Sequence, residues 1–196
     1  MAEWVALGDR AIRFARPANV HPQQLVQAAR AWPGVVDVVI ARDDMAVYFA
    51  DTPAVGDAQI AALAMLGNNP VTGRMHVFRA IYDGPDLEAV SALTGLGVDD
   101  IITMHSAGMY AVETMGFLPG FAYMTGLQPH LVVPRRATPR TRVPANTIAI
   151  AAGYTSIYPL DSPGGWHLIG SVVDAPPLFG PEGTLLKLGD AVRFAR

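Results

Sequence analysis

The chain of 196 residues contains no cysteine. That excludes disulfides, thiolate metal ligands and a cysteine nucleophile, and it sets a reducing cytoplasm as the expected compartment. Lys187 is the one lysine, and no GxxxxGK[ST] run is present, so a P-loop for nucleotide phosphates is excluded. No stretch approaches the roughly 18 consecutive apolar residues of a membrane-spanning helix. The opening MAEWVALGDR lacks a basic start followed by an apolar segment, so no signal peptide is expected. The five histidines show no HExxH-like spacing, and no metal site is expected. A formal net charge of −3 argues against general nucleic-acid binding.

A second kind of absence is local. From Thr114 to Leu160 there is no Asp or Glu, yet Arg135, Arg136, Arg140 and Arg142 all lie in the Pro134–Pro144 run. Guanidinium forks match carboxylate and phosphate geometry, so a cationic island in an acidic chain favours an anionic ligand or an acidic partner surface. Arg135, Arg136 and Arg140 are the candidate anion-binding or interface groups. Arg142 is set apart, because it can face the other side of an extended segment. A solvated surface run is the alternative reading of the same residues.

The residues that are abundant fix the organisation. Hydrophobic residues make up 51% of the chain, enough for a buried core with some left for an interface with another protein. Ala11 to Phe14 reads as a strand. Leu25, Ala28, Ala29 and Trp32 recur at helical spacing up to Pro33-Gly34. Val35 to Ile40 and Met45 to Phe49 read as a hairpin turning at Asp43-Asp44. Thr52 is positioned to cap the next helix, with Pro53 at its first position. Ile60, Leu63 and Leu66 form the buried face of that helix, and Gly67-Asn68 ends it. Met75 to Ile81 supplies another strand. Strand, helix, strand, strand, helix, strand is the split-βαβ order, so residues 1–82 are expected to form a ferredoxin-like α/β sandwich.

Asp83-Gly84-Pro85-Asp86 reads as a turn and a domain boundary, leaving residues 83–196 as a second domain. Two short helices open it, Leu87 to Thr94 and one from about Asp99 that carries Ile101, Ile102 and His105. Tyr110 to Met115 alternates as a strand. Gly and Pro supply 19 of the 68 residues from Gly116 to Gly183, which disfavours long helices and leaves short strands between turns. Thr147–Ala151, Thr155–Tyr158, Trp166–Val173 and Ala191–Phe194 then suggest a compact β-barrel, and the fold class is α+β.

Several loops are candidates for chemistry. In Phe117-Leu118-Pro119-Gly120-Phe121, Pro119 fixes its own φ and Gly120 permits a turn closed to other residues, which brings backbone close to a ligand. Tyr123 follows in the same run. The alternative is a rigid turn with Phe117 and Phe121 as core anchors. Gly164 and Gly165, just before Trp166, can admit a ligand or a neighbouring backbone. His105 and Ser106 do not form a nucleophile–base pair, because adjacent helical residues point about 100° apart. His105 is a candidate catalytic residue, and otherwise a ligand contact or a partly buried histidine. Glu113, the last carboxylate before the acid-free stretch, is the candidate general base.

The runs HSAGMYAVETMGF, GFLPGFAYMTGL, PRRATPRTRVP and IYPLDSPGGWHLIG resemble the allophanate hydrolase subunit 1 family, also called the kinase A inhibitor (KipI) family and the B-type subunits of bacterial 5-oxoprolinase. Related sequences form part of the carboxyltransferase region of urea carboxylase. The resemblance runs from near Leu7 to Phe194. It implies a cyclophilin-like C-terminal barrel. It also implies one component of an ATP-dependent 5-oxoprolinase that opens 5-oxoproline to glutamate and is inactive alone, with ATP and Mg at the level of the complex. The implied partners are an allophanate hydrolase subunit 2-like protein, the C-type component of 5-oxoprolinase, and a lactam-utilisation protein, its A-type component. A carboxyltransferase or allophanate hydrolase-type component of urea-amide metabolism, and an inhibitor that binds a sensor histidine kinase, are the alternatives. The family usually follows LIG with Arg and Thr, where Ser171 and Val172 stand here. It often has Gly-Ser after the VPA turn, where this chain has Asn146-Thr147.

Overall fold

The computed structural model describes residues 3–67 and 73–196. They divide into two compact units, Met1–Thr72 and Gly73–Arg196. The first unit contains strands β1 (Trp4–Ala6), β2 (Ala11–Ala15), β3 (Val35–Ile40) and β4 (Asp44–Phe49), with helices α1 (Pro22–Arg30) and α2 (Asp57–Leu63). Its sheet is antiparallel in the order β1-β2-β4-β3. Strand alternation puts Ile12, Phe14, Val38, Ile40, Met45, Val47 and Phe49 in one core with Leu25 and Ala29 of α1 and Ile60 and Leu63 of α2.

Two sequence expectations are corrected in this unit. Helix α2 does not start at Thr52-Pro53. Its N-cap is Gly56, whose backbone N–H donates to Gln59 Oε1 at 3.0 Å. The backbone donor of a small residue closes this turn, so no capping hydroxyl is needed. The helix runs to Leu63, and Leu66 packs against the core beyond it. Of the expected Gly67-Asn68 stop, Asn68 lies outside the described residues.

The second correction concerns Met75–Ile81 (β5), which the split-βαβ order makes the fourth strand of this sheet. The position beside β2 is taken by β1, in the register Trp4↔Phe14 and Ala6↔Ile12. Strand β5 belongs to the second unit. It pairs there in parallel with β15 (Ala191–Ala195) and antiparallel with β12 (His167–Val173), and its Phe78 and Ala80 enter that unit's core. The break between compact units therefore precedes β5, at Thr72/Gly73, and not at 82/83.

The second unit also contains α3 (Leu87–Thr94), α4 (Val98–Ala107), β6 (Tyr110–Met115), β7 (Ala122–Thr125), β8 (Arg140–Val143), β9 (Thr147–Ala151), β10 (Tyr154–Ile157), β11 (Ser162–Gly164), β13 (Phe179–Gly180) and β14 (Gly183–Thr184). A closed seven-stranded barrel runs β10-β7-β6-β15-β5-β12-β9. Gly95 ends α3 in the left-handed conformation, as its place after the last helical residue predicts. Asn146 has φ 63°, so asparagine preserves the turn in which the family often has glycine. Short strands β8 and β11 pair with each other outside the barrel sheet. No described helix is long and apolar enough to cross a membrane.

Candidate functional site

The pairing of β8 with β11 brings the arginine run to the SPGGW turn, with Gly164 opposite Arg140. The preceding segment is pinned by its backbone. His167 Nε2–H donates to Pro134 O at 3.0 Å, Arg136 N–H donates to Gly165 O at 2.8 Å, and Ala152 N–H donates to Val133 O at 2.7 Å. A cavity of about 250 Å³ opens where these loops meet, lined in part by Phe117, Tyr123, Arg135, Arg136, Tyr158 and Trp166, with Gly164 and Gly165 in its wall. Phe121, only 1% exposed, is its aromatic floor. Its ring meets those of Tyr123, Tyr158 and Trp166 edge-to-face at centroid distances of 5.0, 5.2 and 5.5 Å. Such arrangements favour the ring quadrupoles and fix the walls.

The arginines divide into three environments. Arg136 Nη1 and Arg140 Nη2 both donate to Asp86 Oδ1, at 2.9 and 2.6 Å, and Leu168 N–H donates to Asp86 Oδ2 at 2.7 Å. Asp86 is 3% exposed. Burial pushes its carboxyl up, but the Arg140 and Leu168 hydrogen bonds and the charges of Arg140 and Arg136 outweigh that and hold it below the usual range. Arg142 turns to Asp161, donating from Nε at 2.9 Å and Nη2 at 2.6 Å on an open surface. Arg135 is exposed and lines the cavity with no carboxylate paired to it among the described residues. Two buried donors, Arg136 Nε and Arg140 Nη1, have no acceptor among the described residues.

The site is therefore a mostly aromatic cavity with Arg135 exposed in its wall and Arg136 fixed there by a buried carboxylate. It can seat a small flat molecule and hold an anionic group on that molecule. Among the described residues no carboxylate lines it, so none of them serves it as a built-in general base. Burial pushes the Tyr123 and Tyr158 phenols up, which keeps both as neutral hydrogen-bonding groups. The Trp166 N–H hydrogen bond and nearby arginines oppose that shift at Tyr158 only in part.

The structure brings Phe117, Tyr123, Arg135, Arg136, Gly164, Gly165 and Trp166 together around this cavity. Arg140 stands behind it on Asp86. Pro119 is exposed outside it, and Gly120, at φ 83°, leaves no room for a Cβ against the Leu178 carbonyl and the Phe179 Cβ. Glu113 is half-buried on β6 and does not line it. His105 also lies elsewhere, wholly buried on α4. Thr155 O–H donates to Ala149 O, so His105 Nε2–H donates to Thr155 Oγ1 at 2.9 Å, and Nδ1 accepts from Tyr82 O–H at 2.8 Å. Both ring nitrogens are used and burial lowers its pKa to about 3, so His105 is a neutral core residue and makes no ligand contact.

Sequence reasoning missed Asp86 and Tyr158. Asp86 sits at an N-cap position, where a short acid is expected to bond its own helix, but it makes no cap hydrogen bond because the arginines hold its carboxylate. The run of arginines without nearby acids was the available signal that a distant one is required. Tyr158 carried no such signal; its link to the SPGGW turn is spatial, since a Cβ on Gly164 would collide with the Tyr158 hydroxyl. Tyr158 is buried and its hydroxyl accepts from Trp166 N–H, so it has no room to yield. Gly164→Ala is expected to cost about 1–3 kcal/mol by overpacking and to change Trp166 fluorescence. Chemical denaturation followed by tryptophan fluorescence, in a background with Trp4 and Trp32 replaced by Phe, checks both, and an unchanged midpoint refutes the packing argument.

Known proteins are similar to this chain in sequence or in fold. The family described as carboxyltransferase domain, subdomain C and D, matches residues 3–182. The chain is 32% identical to the 5-oxoprolinase B subunit of Bacillus subtilis (strain 168), covering 97% of this chain and 90% of that one. It is 36% identical to the 5-oxoprolinase B subunit of Haemophilus influenzae, covering 91% and 89%. Its fold is similar to part of the Kluyveromyces lactis urea carboxylase, with a TM-score of 0.76 at 16% identity, over 99% of this chain and 21% of that one. The chain belongs to the carboxyltransferase domain C and D family, and within it to the group of 5-oxoprolinase B subunits.

Proposed function

We propose that this chain is the B-type component of an ATP-dependent 5-oxoprolinase, that it contributes the aromatic–arginine cavity to substrate binding, and that it is inactive alone. Arg135 carries the reading, because it lines an aromatic cavity with no carboxylate paired to it among the described residues. 5-Oxoproline is a small lactam ring with one carboxylate, and it supplies both the flat body and the anion this cavity lacks. The proposed partners are the C-type and A-type components of that enzyme, in a cytoplasmic heteromer. The second unit is assigned to the cyclophilin-like barrels. The first unit is proposed as a variant of the ferredoxin-like sandwich, a reading supported by its β1-β2-β4-β3 sheet order.

ATP with Mg is proposed to act at the level of the assembled complex. Among the described residues there is no group of three or more His, Cys, Asp or Glu that could hold a metal ion.

The test mixes the chain with both proposed partners, ATP and 5-oxoproline, and follows ADP and glutamate together. ADP release must depend on 5-oxoproline and on this chain, and the chain alone must release none. Arg135→Ala is expected to weaken 5-oxoproline binding or turnover about ten- to a hundredfold, the range for losing one charge-assisted contact, with the melting temperature unchanged. Full activity of that variant removes the cavity from the reading, and turnover by the isolated chain removes the shared site.

A further inference from the structure

Phe117 is the one bulky residue among the described residues with a left-handed backbone, at φ 71°; the others outside glycine are Asn146, Ala152 and Asp174. Leu118 N–H donates to Gly116 O at 2.9 Å across Phe117, which makes it the centre of a tight three-residue turn of the rare, strained kind. The surroundings over-determine that turn. Gly116 N–H donates to Phe121 O, Phe121 N–H donates to Leu118 O, and Gly120 takes a second left-handed position. Glycine or asparagine would fit the same backbone with less strain.

The core does not explain a phenyl ring at this position. Phe117 is 58% exposed, whereas Phe121, four residues on, is the buried anchor. The Phe117 ring touches Phe121 edge-on at 5.4 Å and otherwise forms part of the cavity wall it shares with Arg135. A strained backbone that delivers an exposed aromatic ring to a cavity is accounted for by what enters the cavity.

We infer that Phe117 is a specificity-determining residue of this cavity, held in a strained turn to meet a flat ring that carries a single anionic group. The inference rests on the reading of the cavity as a substrate site and adds the ring preference to it. Phe117 discriminates by shape and Arg135 by charge, so the two effects separate.

The experiment titrates the chain assembled with both proposed partners, without ATP, with 5-oxoproline and with N-acetylglycine, which carries the same amide and carboxylate without the ring. The parent is expected to prefer 5-oxoproline. Phe117→Gly is expected to bind 5-oxoproline about five- to tenfold more weakly, the effect of losing roughly half the apolar burial a phenyl side chain supplies, and to lose the preference for the ring. Its melting temperature is expected at or above the parent's, because strain relief offsets the lost edge contact. Phe117→Tyr is expected to keep the preference, and Arg135→Ala to weaken both probes alike. If Phe117→Gly keeps the parent's preference, or melts several degrees lower, the inference is overturned while the cavity reading stands. If the parent binds neither probe, or Arg135→Ala binds both as the parent does, the cavity reading falls and takes the inference with it.

Discussion

Asp86→Ala is expected to lower the unfolding free energy by about 3 kcal/mol, the lower part of the range for breaking a buried ion pair. The carboxylate accepts from Arg136, Arg140 and the Leu168 backbone. Its removal leaves two guanidinium groups converging on a site with no acceptor, and a buried N–H without a partner. The arginine side chains are 31% and 24% exposed, so water relieves part of the cost and the upper range is not reached. Arg142→Ala is the matched control. Its pair with Asp161 is solvent-exposed, with the Arg142 side chain 77% exposed, and its loss is expected to change stability by less than about 1 kcal/mol. Urea denaturation of the three proteins decides it. Equal midpoints for Asp86→Ala and the parent would mean that the arginines, not the carboxylate, hold this corner of the unit.

The sequence disclosed interactions between near neighbours and concealed those between distant residues. Helix α3 and its Gly95 stop, the hairpin of β3 and β4, and strands β9, β10, β12 and β15 follow from periodicity and turn residues that act over a few positions. The partner of Met75–Ile81 does not, because a β-branched, aromatic strand fits either sheet. Its place is decided by β15, which follows it by more than a hundred residues, and by β1, which takes the vacancy beside β2. The arginine run and the SPGGW turn were legible as unusual segments, but their meeting depends on the β8–β11 register. Asp86 is 50 residues from Arg136 and 54 from Arg140, so the acid-free count over Thr114–Leu160 could not find it. Phe117 and Phe121 look alike in sequence, and the backbone of the turn separates them by burying one and straining the other.

The stability of the second unit is expected to fall as pH drops from about 7.5 to 5, before its carboxylates titrate, because of His105. An exposed histidine in the unfolded chain takes up a proton near pH 6.5, whereas burial holds His105 neutral in the folded protein down to about 3. Between those values the unfolded state binds the extra proton, so acid favours unfolding. The contribution is fully present above pH 6.5 and declines as pH falls toward 3. At pH 5 the loss is about 2 kcal/mol, from the proton that the unfolded chain binds and the folded one does not. Asp86 acts in a lower window, because its depressed pKa contributes stability above the ordinary carboxylate range and loses it only as pH falls through that range. The two effects therefore separate on the pH axis. His105→Gln removes the titration and is expected to be less stable at pH 7.5, since Tyr82 and Thr155 lose a well-placed partner, but to show a flatter profile between pH 7.5 and 5. Urea midpoints at four or five pH values for both proteins check this. Parallel profiles would show that some group other than His105 sets the acid sensitivity.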